Sequence, residues 1–349
     1  MAERHTRADF ESSGGTTVAA YRWLPETPAR AVVQLTHGMG EHALRYDDLA
    51  GYLTERGYAV YAQDHRGHGR TATSDDELGR IGADGWTELV ADIDRLRLRA
   101  REEHPDVPLV LLGHSMGSFA AQQYVLDHSS DIDALVLTGT AVLDLLEPSL
   151  DLDQPLDLSM FNAPFAPART DYDWLSRDEA QVDRYVADPR CGFGLDGDAG
   201  RQMFVAARAV ADPERLGQVR KDLPVYVAVG EHDPVNGQLA LVHALVDRLH
   251  AASRTSRSRC TQGPGTRCST RPTRRRSTGT SPSGSTYGWT ATARRSGTPT
   301  AGAPVRPSAG GSRAAPRPPP RPVRRPGRPA PAGTSSSRAP AARRRRGCG

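Results

Sequence analysis

The run Pro108-Leu109-Val110-Leu111-Leu112, followed at once by Gly113-His114-Ser115-Met116-Gly117, constrains the fold more than any other stretch of the chain. Five consecutive residues without a charge or a polar side chain predict a strand buried on both faces. Phe119 to Leu126 then continues as a helix. Between the two there is room only for a turn so sharp that flanking side chains would collide, which is why a glycine stands on each side of the central serine. Such a turn lifts a Ser hydroxyl clear of the sheet. The helix that follows points backbone N–H groups and its positive dipole end at any oxyanion formed there. Ser115 is therefore the candidate nucleophile, and the Met116 N–H is a candidate oxyanion donor.

The surrounding sequence supplies the rest of a parallel sheet. Ala31-Val32-Val33-Gln34-Leu35-Thr36, Tyr58 to Ala62, Ala134 to Leu137 and Val225 to Val229 read as short buried strands. Helices are expected from Tyr46 to Arg56, with Leu49, Tyr52 and Leu53 on one face, and from Gly85 to Glu103. In the second helix Trp86, Leu89, Val90, Ile93 and Leu96 recur at helical spacing. Strands alternating with amphipathic helices predict an α/β architecture, a mostly parallel sheet with helices on both faces. Sites in such sheets lie at the carboxyl ends of the strands. Between Leu143 and Leu223 the rhythm breaks into a stretch rich in Asp, Pro and aromatics, among them Phe161, Phe165, Tyr172, Trp174, Tyr185 and Phe193. It is too long for an ordinary connection and is expected to be an inserted helical lid, about residues 143–223.

Two more motifs fall at strand ends. His37-Gly38-Met39-Gly40 follows the first of these strands; its glycines allow close backbone approach, and the Met39 N–H is the second candidate oxyanion donor. Asp233, in Gly230-Glu231-His232-Asp233-Pro234, follows the strand at Val225. A carboxylate late in the chain fits the order Ser, then Asp or Glu, then His, where it would hold an imidazole in one tautomer and stabilise the imidazolium. Asp64-His65-Arg66-Gly67-His68-Gly69 reads as a loop-shaping hydrogen-bond cluster.

Taken in order, His37-Gly38-Met39-Gly40-Glu41-His42 with Arg45-Tyr46, then the Asp64–Gly69, Gly113–Gly117 and Gly230–Asp233 motifs, resemble the monoacylglycerol lipase and lysophospholipase branch of the α/β-hydrolases, also called serine-aminopeptidase-like. The resemblance covers roughly Val18 to His250. It implies the α/β-hydrolase fold with an eight-stranded sheet, a cap before the acid residue, no metal and no organic cofactor. It also implies an acyl-enzyme mechanism on monoacylglycerols or similar single-chain esters. One departure is Ser118, where the family often has Gly.

The larger departure is the base. A triad needs a His after the last strand, and the final histidine is His250, in the helix after Asp233. His114 adjoins Ser115 in the turn, so its side chain is expected to point elsewhere. No catalytic His is assigned. Composition shows why: after Ala252 come 97 residues without Leu, Ile, Phe, Met, Asp, Glu, His, Lys or Asn. A segment of that kind cannot bury enough apolar surface to fold. The sequence therefore predicts a hydrolase domain over 1–252 lacking its last strand and helix, and a disordered basic tail rich in Arg, Pro, Ser and Gly over 253–349. Back-translating Ser253 to Pro272 with GC-rich codons, and reading from the third base, can give Pro-Asp-Val-Ala-Val-Ala-Val-His-Pro-Gly-Ala-Arg-His-Glu-Val-Leu-Asp-Glu-Thr. That is an apolar strand, a turn and an Arg-His-Glu in the order the family requires, with the His codon straddling Gly265 and Thr266. The tail is accordingly read as a frameshift product, and the chain as written as nearly inactive.

The formal charge of +4 averages two opposed parts. The tail holds 22 of the 45 basic residues and none of the 41 acidic ones, which leaves a net −18 on the first 252 residues. An acidic body disfavours nucleic-acid binding there. The partners expected are a small acyl ester and peripheral contact with lipid. Neither a signal peptide nor an apolar run of membrane-spanning length is present, so a cytoplasmic location is expected. Only Cys191 precedes the tail, and no disulfide framework is implied. The alternatives are a peptidase or thioesterase on the same scaffold, or a non-catalytic protein whose basic tail binds nucleic acid.

Overall fold

A computed structural model describes residues 4–154, 156, 158–252 and 256–261. Contacts divide the chain into Met1–Arg275 and Arg276–Gly349, and all the described residues belong to the first unit.

Its centre is a sheet of eight strands: β1 (Thr6–Arg7), β2 (Ala20–Trp23), β3 (Ala31–Thr36), β4 (Tyr58–Gln63), β5 (Leu109–His114), β6 (Ala134–Thr138), β7 (Val225–Gly230) and β8 (Ser256–Thr261). Their order across the sheet is β1-β2-β4-β3-β5-β6-β7-β8. The first two join antiparallel and every later pair is parallel. All six residues of β3 are buried, as expected for a central strand covered on both faces. In β7 burial alternates, with Tyr226 and Gly230 exposed.

The crossover helices are α1 (Asp47–Thr54), α2 (Gly85–Glu103), α3 (Met116–His128) and α8 (Ala240–Ala252). On α2 the expected stripe is buried: Trp86, Leu89, Ile93 and Leu96 are each no more than 1% exposed. On α1 the buried face differs from the expectation. Leu49 and Tyr52 are exposed, while Tyr46, Ala50 and Leu53 pack on the sheet; positions four and three apart select the face, and Ala50 allows the close approach.

Between β6 and β7 lie α4 (Leu143–Leu146), α5 (Glu179–Ala187), α6 (Gly197–Ala207) and α7 (Pro213–Gly217), joined by 3-10 turns. The expected lid divides in two. Met203 and Phe204 of α6, with Leu216 of α7, are buried in the same core as α2 and α3, so this half is part of the body. The half from about 158 to 192 lies over the sheet's carboxyl edge.

The strand expected to be missing after Ala252 is present in backbone form. Ser256 to Thr261 pair in parallel with Val225 to Gly230, residue for residue. The reason is that α8 brings the chain back beside β7, whose edge presents N–H and C=O groups that need partners. Ladder hydrogen bonds use the backbone, so Ser-Arg-Ser-Arg-Cys-Thr can fill a position that composition disfavours. Ser256 to Thr261 thus pair with the sheet although they follow residue 252. The rest of the disordered tail expected beyond it lies outside the described residues. Among the described residues no helix is long and apolar enough to cross a membrane.

Candidate active site

Ser115 sits at the turn between β5 and α3 with φ 49° and ψ −122°, a backbone conformation that a side-chain-bearing residue rarely adopts and that marks strain held for a purpose. The flanking glycines are required by contact. A Cβ on Gly117 would lie 2.2 Å from the Thr36 carbonyl oxygen, and one on Gly113 would lie 2.6 Å from the Gly117 carbonyl oxygen. Ser118 is fully buried; its hydroxyl bonds the Ser115 carbonyl at 2.6 Å and Thr140 Oγ1 at 2.8 Å, which explains why a hydroxyl is accommodated there.

The loop after β3 packs directly on Ser115. A Cβ on Gly38 would meet Ser115 Cβ at 3.1 Å, and Met39 borders the same cavity as Ser115. Neither Met39 nor Met116 donates its N–H to a backbone acceptor among the described residues.

Glu41 is the residue whose importance the sequence did not signal beyond its place in the motif. Its carboxylate is buried and accepts from the Gly38 N–H at 2.7 Å, the Tyr46 hydroxyl at 2.6 Å and Arg45 Nε at 3.1 Å. Burial alone pushes this carboxyl up, but His114, His37, Tyr46 and Arg45 outweigh it and hold it below the ordinary carboxylate value. It stays charged and fixes the loop against Ser115.

Ser115, Met39, Glu41, His114 and Asp233 open into one cavity of about 710 Å³, which Phe165, Trp174, Leu175 and Tyr185 of the cap also line. The cap is therefore part of the site. Its aromatics pack on one another, with Phe161 and Trp174 5.2 Å apart and Tyr172 and Tyr185 5.0 Å apart. Arg45 lies 4.7 Å from the centre of the Tyr185 ring.

Asp233 caps the turn after β7, its Oδ1 accepting from the Val235 N–H at 2.9 Å. Burial raises its carboxyl above the ordinary value, and the Val235 bond and the nearby His114 offset this only in part. A carboxylate in a working triad would accept a hydrogen bond from an imidazole, which would hold it down. Here two histidines border the cavity, His114 and His232, and neither is hydrogen-bonded to Asp233 among the described residues. His114 differs from the expectation, since its ring faces the cavity. The end of β6 explains this: Thr138 Oγ1 holds His114 Nδ1 at 2.9 Å.

The Asp64–Gly69 loop is architectural, as expected. Asp64 is buried and accepts from the Ala43 N–H, the Arg70 N–H and the Tyr21 hydroxyl. Behind the loop, Arg66 Nε bonds the buried Asp92 at 2.9 Å. His65 donates its N–H to His37 Nε2 at 3.0 Å, so this cluster supports the Gly38 loop from below.

Comparison with known proteins agrees with this geometry. The family described as serine aminopeptidase, S33, matches residues 27–258. The chain is 34% identical over 240 residues to the monoacylglycerol lipase of Mycolicibacterium smegmatis, covering 67% of this chain and 82% of that protein. It is 33% identical over 214 residues to the monoglyceride lipase of Mus musculus, covering 60% and 68%. Among solved structures, a thermostable carboxyl esterase from Bacillus coagulans in complex with glycerol superposes with a TM-score of 0.65 at 27% identity, covering 75% of this chain and 91% of that one. A soluble variant of the Saccharomyces cerevisiae monoglyceride lipase shares the fold at a TM-score of 0.58 and 18% identity, covering 75% and 86%. The strand order, the serine at the strained turn and these matches together place the chain in the serine aminopeptidase (S33) family of α/β-hydrolases, in its monoacylglycerol lipase branch.

Proposed function

We propose that this chain derives from a serine hydrolase of carboxylic esters, of the monoacylglycerol lipase or lysophospholipase type, with Ser115 as nucleophile and Asp233 as the triad acid. The observation that carries the reading is the strained Ser115 turn opening, beside Asp233, into a cavity walled by cap aromatics. The relatives named as monoacylglycerol or monoglyceride lipases support a small acyl ester as substrate. Ser115 Oγ attacks the ester carbonyl carbon, and the Met39 and Met116 N–H groups hold the oxyanion. The C–O bond to the alcohol then breaks, leaving an acyl-Ser115 that water hydrolyses. The Ser115 proton must pass through a base to the departing alkoxide, and no residue of this reading frame supplies it from the position the triad needs. The reaction as laid out requires no metal and no organic cofactor.

The frameshift reading gains a specific support. The apolar Val-Ala-Val-Ala-Val of the shifted frame falls on the codons of Thr255 to Cys260, and Ser256 to Thr261 are the residues that pair with β7. The shifted strand would thus occupy β8, and its His would follow the next turn. Resequencing the gene across the Ala252 codon tests this, together with a fluorophosphonate probe and p-nitrophenyl esters of graded acyl length on both chains. The expected result is rapid labelling and turnover in the frame-corrected chain and almost none in the chain as written. Equal turnover by the two would defeat the proposal. Thioester or peptide cleavage that outpaces ester cleavage in the corrected chain would favour the neighbouring thioesterase or peptidase reading. A confirmed present frame with salt-dependent nucleic-acid binding would favour a non-catalytic protein with a basic tail.

A further inference from the structure

At the seam between cap and body, three side chains of different chemistry converge outside the triad. His42 follows Glu41 in the loop after β3; Asp188 caps the C-terminal end of α5; Cys191 lies three residues further on. One ligand atom from each, an imidazole nitrogen, a carboxylate oxygen and the sulfur, lies within 4.8 Å of the other two. His42 Nε2 and Asp188 Oδ2 are already 2.8 Å apart. From these residues we infer a site for one borderline transition-metal dication, Zn2+ by its donor set, which pins the cap to the loop that carries the oxyanion donor. This inference is independent of the reading of the triad.

Three features favour the site. First, the donors are mixed. Imidazole, thiolate and carboxylate together suit Zn2+, whereas Ca2+ and Mg2+ take oxygen ligands. Zn–N, Zn–O and Zn–S bonds of about 2.0–2.3 Å in a tetrahedron put ligand atoms roughly 3.3–3.8 Å apart, a spacing that small side-chain movements reach here. The cation would take the place of the proton shared by His42 and Asp188, and water would fill the fourth position.

Second, the turn that bears two of the ligands is held. The Cys191 N–H bonds the Asp188 carbonyl at 3.0 Å, and the Gly192 N–H bonds the Gly40 carbonyl at 3.0 Å. Asp188 Oδ1 accepts from the Arg190 N–H at 2.9 Å, which leaves Oδ2 for the ion. The Tyr172 hydroxyl bonds the Gly192 carbonyl at 2.6 Å. The backbone bond from Gly192 to Gly40 already joins the two segments that the ion would link.

Third, the nearby positive charge is occupied. Arg45, beside Cys191, is paired with Glu41 at 3.1 Å and stacked over Tyr185. Burial raises the Cys191 thiol above its ordinary value, with Arg45 only partly opposing, so the ion must displace the thiol proton; the thiolate so formed and the Asp188 carboxylate match a dication. A second cluster, Asp94, His128 and Asp131, is less suitable because Arg97 and the Tyr124 hydroxyl already bond Asp94 Oδ1.

The test uses the full chain with Cys260, Cys268 and Cys348 changed to Ser, so that Cys191 is the one thiol present. Chelator-treated protein is titrated with Co2+ and followed by its thiolate-to-cobalt charge-transfer absorption, then with Zn2+ in competition with a chromophoric chelator. The expected result is saturation at one equivalent, displacement of Co2+ by Zn2+, and loss of the absorption in Cys191→Ser. Asp188→Asn and His42→Gln should each weaken Zn2+ at least tenfold. If these variants fail to fold, the parent chain still decides, since Zn2+ should slow the reaction of Cys191 with a thiol reagent at least tenfold. No charge-transfer absorption in the parent, or Zn2+ affinity unchanged in Cys191→Ser, or no protection of the thiol, overturns the site.

Discussion

Ser115 is held at a positive φ by the contacts of its neighbours, so the turn is sensitive to a single added carbon. Gly117→Ala would drive a methyl into the Thr36 and His37 carbonyl oxygens, and backbone cannot yield as a flexible side chain can. A loss on the order of 3 kcal/mol is expected, visible as a lower denaturation midpoint in urea; an unchanged midpoint would show that the turn relaxes. Replacing the nucleophile is different in kind. In the frame-corrected chain, Ser115→Ala should abolish fluorophosphonate labelling and lower kcat by about a millionfold with little change in stability, checked by esterase assay and thermal melting.

The buried imidazoles behind the Gly38 loop set a pH dependence at the same scale. His37, His65 and His68 are fully enclosed. Burial pushes His37 from 6.5 to about 4 and His68 from 6.5 to about 3, and holds His65 well below its ordinary value. Glu41 and Asp64 face the cluster and partly oppose burial; His42 and His114 add to it. Between about pH 6.5 and 4 the unfolded chain binds protons that the folded chain refuses. Stability is therefore complete above pH 6.5 and falls as the pH drops, by up to about 1.4 kcal/mol per unit for each imidazole. Urea unfolding at intervals from pH 7.5 to 4.5 measures this, and a flat profile would contradict it.

Among the elements, α2 does more than cover the sheet. Its Asp92 is buried and bonds Arg66 at 2.9 Å and Arg95 at 2.6 Å, with Ser12 as a further partner, so one carboxylate ties the N-terminal segment and the Asp64–Gly69 loop to the helix. Asp92→Ala would leave the buried Arg66 with Glu88, 3.8 Å away, as its remaining ionic partner among the described residues, at an expected loss of about 3 kcal/mol, read from chemical denaturation. Asp92→Asn should lose less, because its amide oxygen can still accept. The edge strand β8 is the opposite case, ordered by pairing with β7 in spite of its composition. Arg257→Val with Arg259→Val supplies residues that suit a strand and should raise the melting temperature of the full chain; no rise would mean that β8 contributes little to stability.

For the molecule as a whole, the sheet, the strained Ser115 turn and Asp233 are assembled around one cavity, and under the proposed reading fold and activity separate. Burial raises the Asp233 carboxyl, an effect that a hydrogen-bonded imidazole would offset. A frame-corrected chain should restore turnover and should also lower the Asp233 pKa, measurable by carboxyl 13C NMR titration against a variant with the new His replaced by Gln; an unchanged Asp233 titration would contradict this. The cap contributes at this scale as well. Its inner face lines the cavity, while Met160 and Val186 stand exposed on its surface.

The sequence by itself determined five of the eight strands of the sheet and the main crossover helices, that Ser115 lies on a turn between strand and helix, and which family the motifs belong to. These follow from local patterning: apolar runs, helical spacing, and glycines where only a glycine fits. It also pointed to Asp233 and Met39, which border the Ser115 cavity, by order along the chain. Tertiary structure alone decided the rest, because it depends on which distant segments meet. It turned the ring of His114 into the cavity through Thr138, gave Glu41 its role through Gly38 and Tyr46, and chose Ala50 rather than Leu49 for the inner face of α1. It divided the stretch from 143 to 223 between cap and core, brought Cys191 to His42, and ordered Ser256 to Thr261 as a strand. In that last instance the backbone needs of β7's edge outweighed a composition that locally favours no strand at all.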